Sequence, residues 1–328
     1  MYYTLLTQMT IARFLEPMTN REKDTIMNDM KSSQSTSNIS EHHVVGAKPS
    51  ILLGKLPCLP ALLGKLAFKQ TTYQISDSLP AISAEKHLLI DAKHLAAFRS
   101  ICGFKPKTEI PATYLQALAM PLILNIMSHR HFPIRAIGKL HLANKVSVLE
   151  SFDIRQPVTL AASLGDSQLT SRGVEWNMDF VARVDSQLVW SGSSTYLYNC
   201  ETGMSRREKP KLMRGDNPQE WLVPRGTGRR YGRISGDCNP IHLSSVTAKL
   251  FGFKSAIAHG MWSKSRCIAA LEEQLPESGY SVDVSFHRPI YLPSTVKFYV
   301  RQLENGQYFS LFNRQGEKAY LRGLISEI

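Results

Sequence analysis

No stretch of this 328-residue chain approaches the run of about eighteen apolar residues that a membrane helix needs. Its opening, MYYTLLTQMTIARF, has neither the basic start nor the small-residue cleavage site of a secretory signal. Neither membrane insertion nor export is expected. Cysteine is scarce: Cys58, Cys102, Cys200, Cys238 and Cys267 are odd in number, widely spaced and form no C-x-x-C pair. That argues against a disulfide framework, a zinc site or a redox dithiol, and fits a reducing cytoplasm. Acidic residues are the minority, 27 against 39 Lys and Arg, for a formal charge of +12. Such a surface favours anionic partners: nucleic acid, anionic lipid, phosphorylated cofactors or acidic carrier proteins. There is no zinc-finger spacing and no ribonucleoprotein-type aromatic strand, and the basic residues are dispersed, so nucleic acid is not expected. His129 and His131, in SHRHFP, lack an accompanying carboxylate or cysteine and read as a solvated helix end, not a metal pair.

What is present is a 43% hydrophobic composition over a length that suggests two domains. Residues 1–48 read as a flexible leader, because 19–48 are polar, Ser- and Asn-rich and without apolar period. Next, LLGKL occurs at Leu52–Leu56 and Leu62–Leu66 around a Pro57-Cys58-Leu59-Pro60 turn, as a hairpin or short connector.

Beyond this the chain repeats itself. Gly103-Phe104-Lys105 recurs as Gly252-Phe253-Lys254, and each is followed by a helix-like stretch, Ala112–Met127 and Gly260–Leu275, at an offset of 147 to 149 positions. After each helix come strand-like runs. In the first half these are Ile137–Phe152, Val158–Leu164, Val174–Val184 and Leu188–Tyr198; in the second, Tyr280–Arg288, Thr295–Leu303, Tyr308–Asn313 and Ala319–Ile325. A long helix followed by an antiparallel meander, twice, predicts an α+β fold in which each sheet wraps its own helix. The basic stretch Arg206, Arg207, Lys209 and Lys211 reads as a solvated linker between the halves. The expected domains are 49–205 and 206–328.

The segment richest in chemistry is Tyr231-Gly-Arg-Ile-Ser-Gly-Asp237-Cys-Asn239-Pro240-Ile-His242. Gly236, Asn239 and Pro240 mark a turn that can aim Asp237 and His242 at one point. A carboxylate and an imidazole sharing one water can take its proton and return one nearby. Eighteen residues later Gly260 opens the second helix. Helix N-termini offer unpaired N–H groups and partial positive charge, which suits an oxyanion, and glycine leaves the approach open. Asn239 serves either turn geometry or orientation of the pair. His259 is either a packed or capping residue or a direct substrate contact. Arg229, Arg230 and Arg233 either meet phosphates or acidic carriers or form an exposed basic loop.

The run Y-G-R-I-S-G-D-C-N-P-I-H, with Ala248 after five intervening residues, resembles the signature of MaoC-like (R)-specific enoyl-CoA hydratases and 3-hydroxyacyl thioester dehydratases, and His259-Gly260-Met261 resembles the turn that opens their central helix. The resemblance covers roughly residues 229 to 300, and the internal repeat is similar to the double-hotdog members. It implies a hotdog fold, a thioester of coenzyme A or acyl carrier protein as substrate, and a place in fatty acid metabolism. The implied reaction is reversible hydration of a trans-2-enoyl thioester to the (3R)-hydroxyacyl thioester. Asp237 and His242 would hold the water, Asn239 would orient the pair, and the Gly260 N–H would bind the thioester carbonyl. No metal or redox cofactor is implied, and a homodimer is compatible with it.

The first half departs from this pattern. At the repeat offset the dyad falls on Leu88–Lys93, where Asp91 is followed five positions on by Ala96, and Thr113 stands in place of Gly260. That half is expected to be catalytically empty and to shape an acyl channel with Met120 and Met127. Three other readings share the motif: a dehydratase acting on carrier-protein substrates, a hotdog thioesterase, and a non-catalytic acyl-thioester binding or scaffold subunit.

Overall fold

The computed structural model describes residues 51–53, 62, 65–66, 69–75, 77–135, 138–205, 213–215 and 217–328. The expected leader, most of the LLGKL connector and the Arg206–Lys211 linker lie outside the described residues. Among those described, no helix is long and apolar enough to cross a membrane, and Cys102, Cys200, Cys238 and Cys267 are free thiols.

The first half provides strands β1 (Ile51–Leu53), β2 (Ile82–Leu88), β3 (Leu140–Val148), β4 (Val158–Thr170), β5 (Gly173–Val184) and β6 (Gln187–Asn199). The second provides β7 (Gln219–Val223), β8 (Tyr280–Phe286), β9 (Ser294–Leu303), β10 (Gly306–Asn313) and β11 (Ala319–Glu327). All eight strands expected from β-branched and aromatic runs are present. The short β1, β2 and β7 are additional, and they carry little alternation to betray them.

The strands form one sheet in the order β1-β2-β4-β5-β6-β3-β8-β11-β10-β9-β7. From the β3·β8 pair outward the two sides are alike: β6, β5, β4, β2 on one side and β11, β10, β9, β7 on the other. The strand order is thus the same read outward from β3 and from β8, and the fold is α+β with hotdog architecture. The expectation that each half wraps a separate sheet needs correction. β3 and β8 pair antiparallel from Ala143↔Ser285 to Val148↔Tyr280, so each half covers an edge of the other that would otherwise present unpaired backbone groups.

The helices are α1 (Ala92–Cys102), α2 (Tyr114–Leu118), α3 (Met120–Ser128), α4 (Thr227–Ser235), α5 (Pro240–Leu243), α6 (Ser245–Leu250) and α7 (Gly260–Ala270). The helix expected over Ala112–Met127 is two, split at Ala119 ahead of Pro121, which lies in the first turn of α3 and supplies no N–H. In the second half α7 ends at Ala270, and a short 3-10 turn over Glu272–Gln274 replaces its expected continuation. The repeated glycines share one backbone role: Gly103 and Gly252 have φ of 83° and 82°, and each follows a helix.

The halves are also joined through their helices. Phe98 of α1 lies 6.2 Å from Tyr231 of α4 between ring centroids. His94 links the Tyr114 hydroxyl to the Ile234 carbonyl. The fully buried Lys264 of α7 donates from Nζ to Asn144 O, Asn144 Oδ1 and Val282 O at 2.7 to 2.8 Å. It thereby ties the helix to β3 and β8 at their seam, with all three ammonium protons matched.

Candidate active site

The site begins with how α4 stops. Gly236 adopts φ 77°, ψ −1° and its N–H returns to the Gly232 carbonyl, a left-handed cap that glycine takes without Cβ strain. The chain then turns, and Asn239 starts α5: its side-chain oxygen accepts from Ile241 N at 3.3 Å, with Pro240 next. The Asn239 backbone N–H donates to Asp237 Oδ1 at 3.3 Å. The Asn239 side chain thus serves the turn, and its backbone N–H meets the Asp237 carboxylate. Helix α4 itself was not evident from TGRRYGRIS, since two glycines depress helix propensity. Their reason is tertiary. A Cβ at Gly228 would lie 2.3 Å from the His242 carbonyl oxygen, and one at Gly232 would lie 2.8 Å from that of Asp237. The loop can approach the helix only because both positions lack side chains.

Three side chains converge. His242 is buried, and its Nδ1 lies 2.9 Å from Ile257 O. A carbonyl only accepts, so Nδ1 carries the proton and Nε2 keeps a lone pair. His259 donates likewise from Nε2 to the Asp237 carbonyl at 2.9 Å and stacks on His242 with ring centroids 3.6 Å apart. At 2% exposure His259 is a packed residue, and what it packs against is the dyad. Ligand atoms of Asp237, His242 and His259 all lie within 4.8 Å of one another. Two acceptors sharing one water sit about 4.6 Å apart, given hydrogen bonds of about 2.8 Å at a tetrahedral angle, a separation within the span of this cluster.

Burial pushes the Asp237 carboxyl up, but His259, His242, Lys139 and the Asn239 N–H together hold it below the usual range. Burial, then the neighbouring His259, bring His242 down to about 3, against the attraction of Asp237. His259 is lowered by burial too. The resting state is thus an ionised carboxylate beside neutral imidazoles, which offers two acceptors to the two protons of one water. The same three residues have the composition of a cation site. Of their ring nitrogens, His242 Nδ1 and His259 Nε2 are committed to carbonyls, which leaves His242 Nε2 and His259 Nδ1.

Gly260 is the first residue of α7, where helical N–H groups have no intrahelical partner. A Cβ there would lie 3.1 Å from the Phe286 ring. Arg233, in the last turn of α4, is exposed and makes none of the hydrogen bonds at the cluster; Arg229 and Arg230 are exposed on the same helix. His129 and His131 sit at the end of α3 with rings 5.3 Å apart and no carboxylate partner among the described residues.

At the repeat positions of the first half the described residues show no second carboxylate–imidazole pair. Asp91 caps α1, accepting from Lys93 N at 2.8 Å, and the Thr113 hydroxyl is bonded to Ser265 at 2.7 Å. That half nevertheless reaches the site. Lys139 and His141 at the start of β3 and Tyr196 of β6 all feel the charge of Asp237. Met120 lies beside Gly236, within 3.7 Å of where a Cβ would be, whereas Met127 is wholly buried in the core. Of the two methionines expected to shape a channel, Met120 adjoins the Gly236 turn and Met127 lies in the buried core. Sequence reading missed Lys139, His141 and Tyr196 because nothing local in β3 or β6 marks them.

Residues 206–320 match the family model described as MaoC like domain. A curated relative, 3-hydroxyacyl-thioester dehydratase X of Mycobacterium tuberculosis, is 29% identical over 244 residues, covering 73% of this chain and 86% of the relative. A crystal structure of HtdX from the same organism aligns with TM-score 0.66 and 24% identity over 76% of this chain and all of that one. A MaoC-like dehydratase from Phytophthora capsici aligns with TM-score 0.64 and 16% identity over 78% of this chain and 98% of that one.

Proposed function

Because residues 206–320 match the MaoC like domain and the chain is 29% identical to a 3-hydroxyacyl-thioester dehydratase, we propose that it catalyses the reversible hydration of trans-2-enoyl thioesters of coenzyme A to (3R)-hydroxyacyl thioesters. Asp237 and His242 Nε2 hold one water between them. Its oxygen adds to C3, the imidazole takes a proton, and C2 receives one from the same pair, so that addition is syn. Negative charge developing on the thioester oxygen is stabilised by the Gly260 N–H and the partial positive end of α7. Asn239 and His259 orient the carboxylate without touching substrate. No metal or cofactor enters these steps. The observation that carries the reading is the His242 Nδ1 bond to Ile257 O, which leaves Nε2 free to act as a base beside Asp237.

In this reading residues 49–205 form a repeat without a dyad and 206–328 the catalytic repeat, and the protein works in the cytoplasm. The coenzyme A form of the substrate is supported by an open groove of about 910 Å³ lined by Arg288, Arg314 and Lys318 with Tyr291 and Tyr320, and by no acidic residue. Its backbone adjoins the site, since Ala258 N donates to Ile290 O at 2.9 Å, and three cations there suit phosphates. The carrier-protein alternative draws on the exposed Arg229, Arg230 and Arg233. The test is loss of the conjugated absorbance of crotonyl-CoA with chiral analysis of the product, alongside crotonyl carrier protein. Release of free thiol instead would mark a thioesterase, and binding without turnover a scaffold subunit.

A further inference from the structure

The half without a dyad places an imidazole of its own in the site. His141 stands where β3 slips register against β6, between His141 and Ala143, and a bulge of this kind redirects a side chain that regular pleating would send elsewhere. The redirected ring lies 4.8 Å from Tyr196 and 5.0 Å from Phe286 between centroids. Phe286 is the ring that a Cβ on Gly260 would touch, so His141 borders the oxyanion end of the site across one aromatic layer. The charge of Asp237 also acts on the ring.

The ring nitrogens then define its chemistry. Burial lowers His141 to about 3, helped by Lys139 and Lys264, so the ring is neutral, and the Ala143 backbone bond opposes that shift. With its one proton on Nδ1, a neutral imidazole presents its second nitrogen as an acceptor. The other nitrogen, Nε2, is out of solvent and has no hydrogen-bond partner among the described residues. A buried acceptor left without a partner is costly and uncommon in folded proteins.

We propose that His141 Nε2 accepts a hydrogen bond from the 3-hydroxyl of the hydroxyacyl thioester, which makes the dyad-free half a direct contributor to substrate recognition. This rests on the hydration reading above. It explains why a half that has lost its dyad keeps a bulge and a polar ring at this place. The enoyl thioester has no hydroxyl, so His141 distinguishes the two sides of the reaction: it binds the hydroxyacyl form and the transition state in which the C3–O bond is forming.

The test uses His141→Phe, which keeps an aromatic ring between Tyr196 and Phe286 but has no acceptor, and His141→Gln, which restores one. KM and kcat are measured in both directions on C4 thioesters, with melting temperature as the check on folding. For His141→Phe, KM for the 3-hydroxyacyl thioester is expected to rise about tenfold, the worth of one hydrogen bond to a buried group. KM for the enoyl thioester stays within twofold and hydration kcat falls about tenfold, as the fixed equilibrium constant requires. His141→Gln recovers part of both, and carries the comparison alone if the Phe variant does not fold. A folded Phe variant with both KM values unchanged, or with both raised equally, would overturn the proposal while leaving the hydratase reading standing. A wild-type protein inert on every enoyl thioester overturns both.

Discussion

Gly232→Ala isolates the part of the site that the tertiary structure builds around absent atoms. The new Cβ would lie 2.8 Å from the Asp237 carbonyl oxygen and 3.6 Å from His259 Cε1. The first distance must open by a few tenths of an ångström, and the atom that moves is the carbonyl to which His259 donates. Two terms act on stability: removing a glycine from a helix interior gains about 1 kcal/mol, and overpacking costs about 1 to 3 kcal/mol. The net change is about 0 to 2 kcal/mol of destabilisation. Catalysis has no such offset. Asp237 and His259 move together, and displacing a positioning group by up to an ångström costs as much as a hundredfold, so kcat should fall about tenfold or more. Gly252→Ala is the control. There φ is 82° with nothing within 4 Å of the new Cβ, so about 1 to 2 kcal/mol of stability is lost with kcat unchanged. Thermal melts and crotonyl-CoA turnover on both variants check this. Wild-type kcat in folded Gly232→Ala would refute the claim that this close approach sets the dyad geometry.

Replacing Asp237 by Asn or His242 by Ala should each lower turnover by about 10² to 10⁴ with the fold retained, as measured by steady-state rates and circular dichroism. Gly260→Pro removes the proposed donor at a helix start that tolerates proline and should cost about 10² to 10³ in kcat; Gly260→Ala only crowds Phe286 and should cost less. His141 and His242 hold pKa values of about 3 against an ordinary 6.5, so between pH 6.5 and 3 the unfolded chain binds protons that the native one refuses. Stability should therefore fall with acid across that window, by up to about 1.4 kcal/mol per pH unit for each ring, and His141→Phe should flatten the slope in denaturant titrations at several pH values. Met120→Trp, beside Gly236, should shift kcat/KM across C4 to C16 enoyl thioesters toward short chains, whereas Met127→Trp should lower the melting temperature without that shift.

The turn that brings Asp237 and His242 together, and the helix start at Gly260, were legible in sequence because they sit in short motifs whose punctuation is local. Gly236 must be left-handed, Asn239-Pro240 starts a helix, and Gly260 opens one, each dictated by backbone sterics within a few residues. The eight long strands were legible for the same reason, through β-branched and aromatic runs, and so was the repeat, through Gly103 and Gly252.

Other features depended on distance. That β3 and β8 join the halves into one sheet follows from edge pairing between strands about 140 residues apart, which no local pattern encodes. Gly228 and Gly232 looked like helix breakers until the dyad loop was seen resting on them. His259 could have been a cap or a contact from sequence; it stands at the N-cap of α7, and only folding sets it against His242 and the Asp237 carbonyl. His141, Lys139 and Tyr196 lie in a half whose own sequence reads as empty. Their relevance exists only because folding sets them against Asp237, where burial and its charge act on groups that a linear reading would leave as ordinary strand residues.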